Sequence, residues 1–264
     1  AGESALLAPP MPFRNVLAAS RQALDEQAHA GFFEAMLGDI DEPTLAFGVQ
    51  ARTDQPLQQA RLTLPATLAQ RLRSQARQLG VSPASVLHLG FARLVGQLSG
   101  RQAVVFGSVL LGRMTTGEGG EQALGMFINT LPLRIDLGAL GVRDGLLATH
   151  KRLCGLLAHE QASLALAQRC SGVAAPAPLF NSMPNYRHSD AGDADAIIPV
   201  APGIDIAGAV ERSDHPLTAC VDTLGHDLRP HVQILPVWGA LRPCGQLVLG
   251  LTSLAGIPEA RRVG

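Results

Sequence analysis

At 264 residues, 47% apolar and 16% charged, the chain is long enough to bury a large core and too apolar to stay disordered. Its formal net charge of −1 offers no field to attract nucleic acid or an anionic membrane, and no apolar run reaches the ~20 residues of a spanning helix. Four widely spaced cysteines (Cys154, Cys170, Cys220, Cys244) contain no C-x-x-C pair, which reads as free thiols in a reducing cytosol and argues against a zinc site. Lys151 is the only lysine, a bias of a GC-rich genome rather than of function. The opening AGESALLAPP has no basic segment followed by an apolar stretch, so no signal peptide is read there. The chain does not begin with Met and reads as a piece of something longer.

Residues 10–38, from PPMPFRNVLAASR onward, are predicted helical up to Gly38, and ARLTL (60–64) reads as a short strand. Pro65 opens a helix with Leu68, Leu72, Ala76 and Leu79 on one face, closed by Gly80. Ser82-Pro83 supplies a cap and a first-turn proline for the next helix. Its Val86, Leu87, Phe91, Leu94, Val95 and Leu98 form a wide stripe that stops at Gly100. AVVFGSVLL (103–111) is a continuous apolar run of strand length, the pattern of a strand buried on both faces.

A glycine-rich loop, GRMTTGEGGEQALG, leads into GMFINTLPLR (125–134). From Leu131 the pattern alternates: Leu131, Leu133, Ile135 and Leu137 on one side, Arg134 and Asp136 on the other, a strand with one wet face. Pro132 belongs near its start or on an edge. Asn129 and Thr130 stand where a loop enters the sheet, where such side chains either tie down a turn or face a ligand. A long helix follows with Val142, Leu146, Leu153, Leu156 and Leu157 on one face. Strand patterns recur at 179–187, 204–210, 217–222 and 228–234, and HSDAGDADA (188–196) reads as a surface loop. The order of elements specifies an α/β layered fold: a mixed sheet with packed helices.

The glycine-rich loop lacks G-x-x-x-x-G-K-[ST], so a phosphate cradle is not expected. Arg113, directly after a buried strand and Gly112, must reach solvent or pair with a carboxylate. His88 lies in an apolar helix and reads as a satisfied core or edge residue. His159, beside Glu160 at a helix end, is a base candidate but reads first as structural. No G-x-S-x-G or H-E-x-x-H arrangement occurs. The residues alone show no complete catalytic set and no metal ligands.

Seven stretches together resemble, in order, the condensation domains of non-ribosomal peptide synthetases. They are PFRNVLA (12–18), FFEAMLGDIDEPTLAFG (32–48), VVFGSVLLGRM (104–114), ALGMFINTLPLRI (123–135), HEQASLALAQRCSGV (159–173), PLFNSMPNYRHS (178–189) and HPLTACVDTLG (215–225). The most familiar is MFINTLPLR, which is similar to the family's F-V-N-T-L-P-L-R. The resemblance implies a chloramphenicol-acetyltransferase-like fold, two α/β subdomains in a V with the active site between them. It implies amide formation between a donor acyl thioester and an acceptor amine. Both are presented on the phosphopantetheine arms of carrier domains, with no cofactor bound directly. A bacterial, cytosolic, multidomain enzyme of secondary metabolism is expected, with an adenylation domain downstream.

The family's His-His-x-x-x-Asp-Gly motif lies upstream of its Phe-Arg-Asn segment, and no two histidines are adjacent anywhere in this sequence. The resemblance therefore implies the C-terminal condensation subdomain, with the N-terminal subdomain as partner and no catalytic histidine here. Residues 1–58 would form an inter-subdomain helical segment and 59–264 the subdomain, with a divergent tail at 235–264. Carried over by position, Arg113 matches the arginine that pairs with the motif aspartate across the cleft, Asn185 matches a polar residue facing the tunnel, and Asn129 and Thr130 match tunnel-wall or structural positions. In the tail, Gly239, Ala240, Arg242, Cys244, Gly245, Ser253 and Leu254 are similar to the family's closing helix. Pro243, Gly250, Gly256 and Pro258 are expected to weaken or break it. Two rival readings are another acyltransferase of the same fold and a non-catalytic module that docks carrier proteins.

Overall fold

The computed structural model describes residues 12–22, 25–49, 57–112, 123–138, 141–189, 213–224, 227–235 and 239–255. β5 (Leu217–Leu224) lies between β4 (Ser182–Ser189), which is parallel to it, and β6 (Asp227–Ile234), which is antiparallel. β1 (Gln58–Arg61) pairs with the far edge of β6, so the sheet is mixed, in the order β1-β6-β5-β4. Leu217 and Ala219 of β5 stand opposite Ile234 and Val232 of β6 in the main core. Three helices cover that face: α3 (Ala66–Leu79), α4 (Pro83–Ser99) and α7 (Leu241–Ala255). Tyr186, Val221 and Leu228 share an apolar gap there with Leu72, Val86, Leu87 and Leu251. The α/β fold with a mixed sheet and packed helices is thus the one the patterns specify. The strands read at 60–64 and 179–187 form at Gln58–Arg61 and Ser182–Ser189. The pattern at 204–210 lies outside the described residues, and of 188–196 only the end of β4 lies within them.

A second pair, β2 (Ala103–Leu110) and β3 (Asn129–Asp136), is antiparallel and runs beside β4. β3 has a single ladder among the described residues, so Pro132, opposite Gly107, sits on an edge strand as expected. The predicted helix over 10–38 is two, α1 (Phe13–Gln22) and α2 (Glu26–Leu37). Asp25 accounts for the new start: its carboxylate accepts from the Ala28 N–H at 2.9 Å, an N-cap inside the helical pattern. Phe33 and Leu37 of α2 reach the same core as the sheet. α5 (Val142–Ala158) buries Leu146, Thr149, Leu153 and Leu156, whereas Leu157, expected on that face, is exposed. A short helix, α6 (Leu164–Arg169), starts at Ser163, whose hydroxyl accepts from the Leu166 N–H.

The expectation of a broken closing helix is overturned by α7. Pro243 is its third residue, within the first turn, where no N–H is required of it. Gly250 lies where α7 crosses α4: a Cβ there would stand 3.7 Å from the Gly90 carbonyl, and one on Gly90 would stand 2.8 Å from Leu251 Cδ2. Glycine at position 90 permits that approach, while a Cβ on Gly250 would meet only ordinary contact. Cys244, Leu247, Leu251 and Leu254 supply the buried stripe, and Arg71 donates to the Ala255 carbonyl at its end at 2.9 Å. Gly256 and Pro258 lie outside the described residues. Among the described residues, no single helix is long and apolar enough to cross a membrane.

The wet face of β3 is less wet than the alternation suggests. Arg134 is only 16% exposed. It pairs with Asp39 beyond α2, donates to Asp136 at 2.8 Å and to the Met36 carbonyl at 3.3 Å, and Arg152 of α5 joins Asp136 at 2.7 Å. The guanidinium holds the Asp39 carboxyl below its ordinary range. Arg134 therefore ties α2 to β3. Its replacement by alanine is expected to lower stability by about 2 kcal/mol. Arg101→Ala, which removes an exposed pair with Glu42, should cost about 1 kcal/mol or less. Urea denaturation of both variants checks the ranking, and equal losses would contradict it.

His88 is a core residue, as read. The Ala84 carbonyl, 2.7 Å away, can only accept, so Nδ1 carries the proton; Nε2 then accepts from the Ser108 hydroxyl at 2.9 Å. Burial pushes its pKa down to about 4. The folded form thus refuses a proton that the unfolded chain accepts. This stability is fully present above the unfolded value near pH 6.5 and is lost as pH falls toward 4, by about 3 kcal/mol in all. Urea midpoints measured from pH 7.5 to 4.5 are expected to fall more steeply for the wild type than for His88→Gln. Parallel profiles would show that His88 titrates normally.

Candidate functional site

Successive residues of a strand point to opposite faces. With Tyr186, Val221 and Leu228 against the helices, the register places Asn185, Cys220 and His231 in one row on the other face and Arg187, Asp222 and Arg229 in the next. Arg187 Nε donates to Asp222 Oδ1 at 2.6 Å, and His231 Nδ1 lies 3.6 Å from Asp222 Oδ2. Burial pushes the Asp222 carboxyl up, but hydrogen bonds from His231 and Arg187, and their charges, outweigh it and hold the pKa at about 2. Asp222 is an anion at neutral pH. Asn185, on β4, is half-buried, and its side chain makes no hydrogen bond to another described residue. A buried thiol, Cys220, separates it from His231 in the row.

The second cluster lies at the β2–β3 pair. Gly107 has no room for a side chain: a Cβ would lie 2.5 Å from the Phe180 ring and 2.8 Å from the Thr130 methyl. The Phe180 ring stacks on His215, with centroids 6.1 Å apart. Thr130, Phe180 and His215 thus form a continuous surface toward the start of β5, where Thr218 donates to Ser213 at 2.7 Å. Asn129 faces the other way. Its amide donates to the carbonyls of Glu160 and Ala162 at 2.9 and 2.8 Å, and its Oδ1 accepts from the Thr130 N–H at 2.9 Å.

From the same turn, Gln161 Nε2 donates to the Gly112 carbonyl at 3.2 Å. Gly112 has φ +69°, and a Cβ on it would lie 1.9 Å from the Phe127 carbonyl oxygen, so only glycine fits. The turn is anchored in turn by His159, whose Nδ1 lies 2.7 Å from Nδ1 of His29 on α2 and whose ring stacks on Phe32 at 4.3 Å. One hydrogen between the two nitrogens requires at least one neutral ring. Burial, then the neighbouring His29, pushes the His159 pKa below the ordinary histidine value. His159 is so engaged in packing.

Arg113 lies outside the described residues; Gly112, just before it, is their last on that side. Asn129 and Thr130 share β3, while Asn185 stands on β4, and no hydrogen bond among the described residues joins it to them. Sequence reasoning missed Arg187, Asp222 and His231. Arg187 in NYRH and Asp222 in VDTLG do fall on the polar phase of their strands, but only the register shows that they meet. A cavity of about 450 Å³ between α4 and α5, lined by Arg93, Arg101, Asp136, Leu137, Val142 and Leu254 among others, contains none of the residues predicted for the site. No group of three or more metal-ligating side chains occurs among the described residues.

The profile of the Condensation domain family matches residues 8–194. Malpibaldin synthetase of Mortierella alpina is 42% identical over 98% of this chain, which spans 5% of that protein. Malpinin synthetase of the same organism is 42% identical over 97% of this chain and 3% of its own length. The first condensation domain of the CDA synthetase shares the fold, with a TM-score of 0.71 at 19% identity, covering 96% of this chain and 57% of that one. The chain thus spans a small fraction of the synthetases it matches and little more than half of that solved chain. Both 42% relatives come from a fungus, which bears only weakly on the bacterial source expected earlier, since relatives are also found in Brevibacillus parabrevis and Chondromyces crocatus. The chain belongs to the condensation-domain family, of the kind found in non-ribosomal peptide synthetases.

Proposed function

We propose that this chain is the C-terminal subdomain of a peptide synthetase condensation domain and forms one wall of the tunnel in which carrier-bound acyl and amino groups are joined. The observation that carries the reading is the polar face of β4, β5 and β6, turned away from α3, α4 and α7. There the half-buried Asn185 stands one row from a fixed anion, Asp222, on the same face of the sheet. An amide with no hydrogen bond among the described residues, on such a face, suits a hydrogen bond to a passing thioester or amide. The general base belongs to the N-terminal subdomain, on the His-His-x-x-x-Asp-Gly motif; these 264 residues contain no adjacent histidines. Substrates arrive on the phosphopantetheine arms of carrier domains, with an adenylation domain downstream, and this chain binds no cofactor of its own.

Arg113 completes the wall by pairing with the motif aspartate across the cleft. The reading is supported by Gly112, the residue just before Arg113: its backbone is hemmed by Phe127 and held by Gln161. In a protein that joins this chain to its upstream subdomain, Arg113→Ala leaves a buried carboxylate unpaired, at a cost of roughly 3–5 kcal/mol. Melting temperature and condensation rate should both fall sharply, whereas Arg101→Ala, at an exposed pair, should leave the rate near wild type. An Arg113→Ala protein matching wild type in both measurements would remove the cross-cleft pair and with it the tunnel-wall reading.

A further inference from the structure

The two ends of the segment joining β2 to β3 are held by one turn, residues 159–162 between α5 and α6. Gln161 reaches the Gly112 carbonyl at the β2 end, and the carbonyls of Glu160 and Ala162, on either side of it, receive the Asn129 amide at the β3 end. Both strand ends are thus tied to the same turn. At Gly112 the Phe127 carbonyl oxygen stands 1.9 Å from where a Cβ would be, which bars a shift in that direction, and a shift at Asn129 breaks two bonds at 2.8–2.9 Å. The turn has its own footing on α2, through His159 against His29 and Phe32.

We propose that this turn is a clamp that positions the β2–β3 side of the tunnel wall, with Gln161 and Asn129 as positioning residues that do not touch substrate. The assignment rests on the tunnel-wall reading above. All polar atoms of the Asn129 side chain are spent inside the protein, on Glu160, Ala162 and Thr130. Thr130, the next residue on the strand, turns its methyl to the opposite face, against Phe180 and Gly107. The clamp therefore sets where that face stands.

Gln161→Glu tests this in the multidomain synthetase that carries the chain, supplied with ATP and its own amino acids. The change is isosteric and replaces the donor facing Gly112 with a carboxylate. Gln168→Glu is the control, because Gln168 also donates from its amide to a carbonyl, that of Ala177 at 2.8 Å, away from both strand ends. Gln161→Glu is expected to slow product formation about tenfold with little change in the amino-acid concentration giving half-maximal rate. Gln161→Lys, which keeps a donor, should recover most of that loss. Gln168→Glu should stay within about twofold of wild type in rate even if it melts as early.

Hydrogen exchange on the same proteins separates the two ways of failing. Gln161→Glu should speed exchange at least tenfold in peptides covering 105–112 and 127–131, and Gln168→Glu should not. No change in exchange there would overturn the clamp itself. Faster exchange with an unaltered rate would leave the contacts standing but overturn the positioning role, and the tunnel-wall reading of that face with it. Rate losses that merely track melting temperature in both variants would reduce Gln161 to a structural residue.

Discussion

The strand at the centre of the sheet cannot satisfy both of its faces in the same way, and most of the structure follows from that. Leu217, Ala219 and Val221 of β5 press toward helices α3, α4 and α7, so Thr218, Cys220 and Asp222 must emerge on the far side. Burying a carboxylate is costly unless it is paired. Asp222 draws in Arg187 from β4 and His231 from β6, and the parallel–antiparallel flanking of β5 brings both within reach. The same arrangement that makes the core therefore makes a charged, polar face beside Asn185.

The edge pair β2–β3 meets a different constraint. Among the described residues β3 has no second ladder to hold it, so side chains do that work: Arg134 toward α2, Asp136 toward Arg152 of α5, Asn129 toward the 159–162 turn. Backbone carbonyls at Met36, Glu160 and Ala162 serve as acceptors, which ties the strand to elements whose positions are set by their own helices. Gly107 and Gly112 are the places where this packing leaves no space for a Cβ. At the Asn129 end, what the β2–β3 side presents toward Phe180 is thus held by contacts on the opposite face of the strand.

Local chemistry was legible in the sequence; partners distant along the chain were not. Ser82-Pro83, Gly80 and Gly100 mark helix ends by short-range rules, and α3 and α4 form where those marks stand. The alternation after Leu131 identifies β3 correctly, yet it makes Arg134 a wet-face charge, because its partner Asp39 lies 95 residues away. Asn129 was visible as a residue with a task, but its acceptors lie 31 and 33 residues on. Asp25 shows how one cap residue inside a helical pattern divides it. Pro243 shows the reverse, a breaker made harmless by falling in a first turn. Arg187 and Asp222 are 35 residues apart and meet only once β4 and β5 are known to be parallel neighbours.

The central claim is that this chain supplies a wall and not the base. The most direct measurement is amide formation from carrier-loaded aminoacyl substrates, comparing residues 1–264 alone with the same chain joined to an upstream subdomain bearing His-His-x-x-x-Asp-Gly. The account predicts no turnover above background for the first protein and measurable turnover for the second. Condensation by residues 1–264 alone would contradict it.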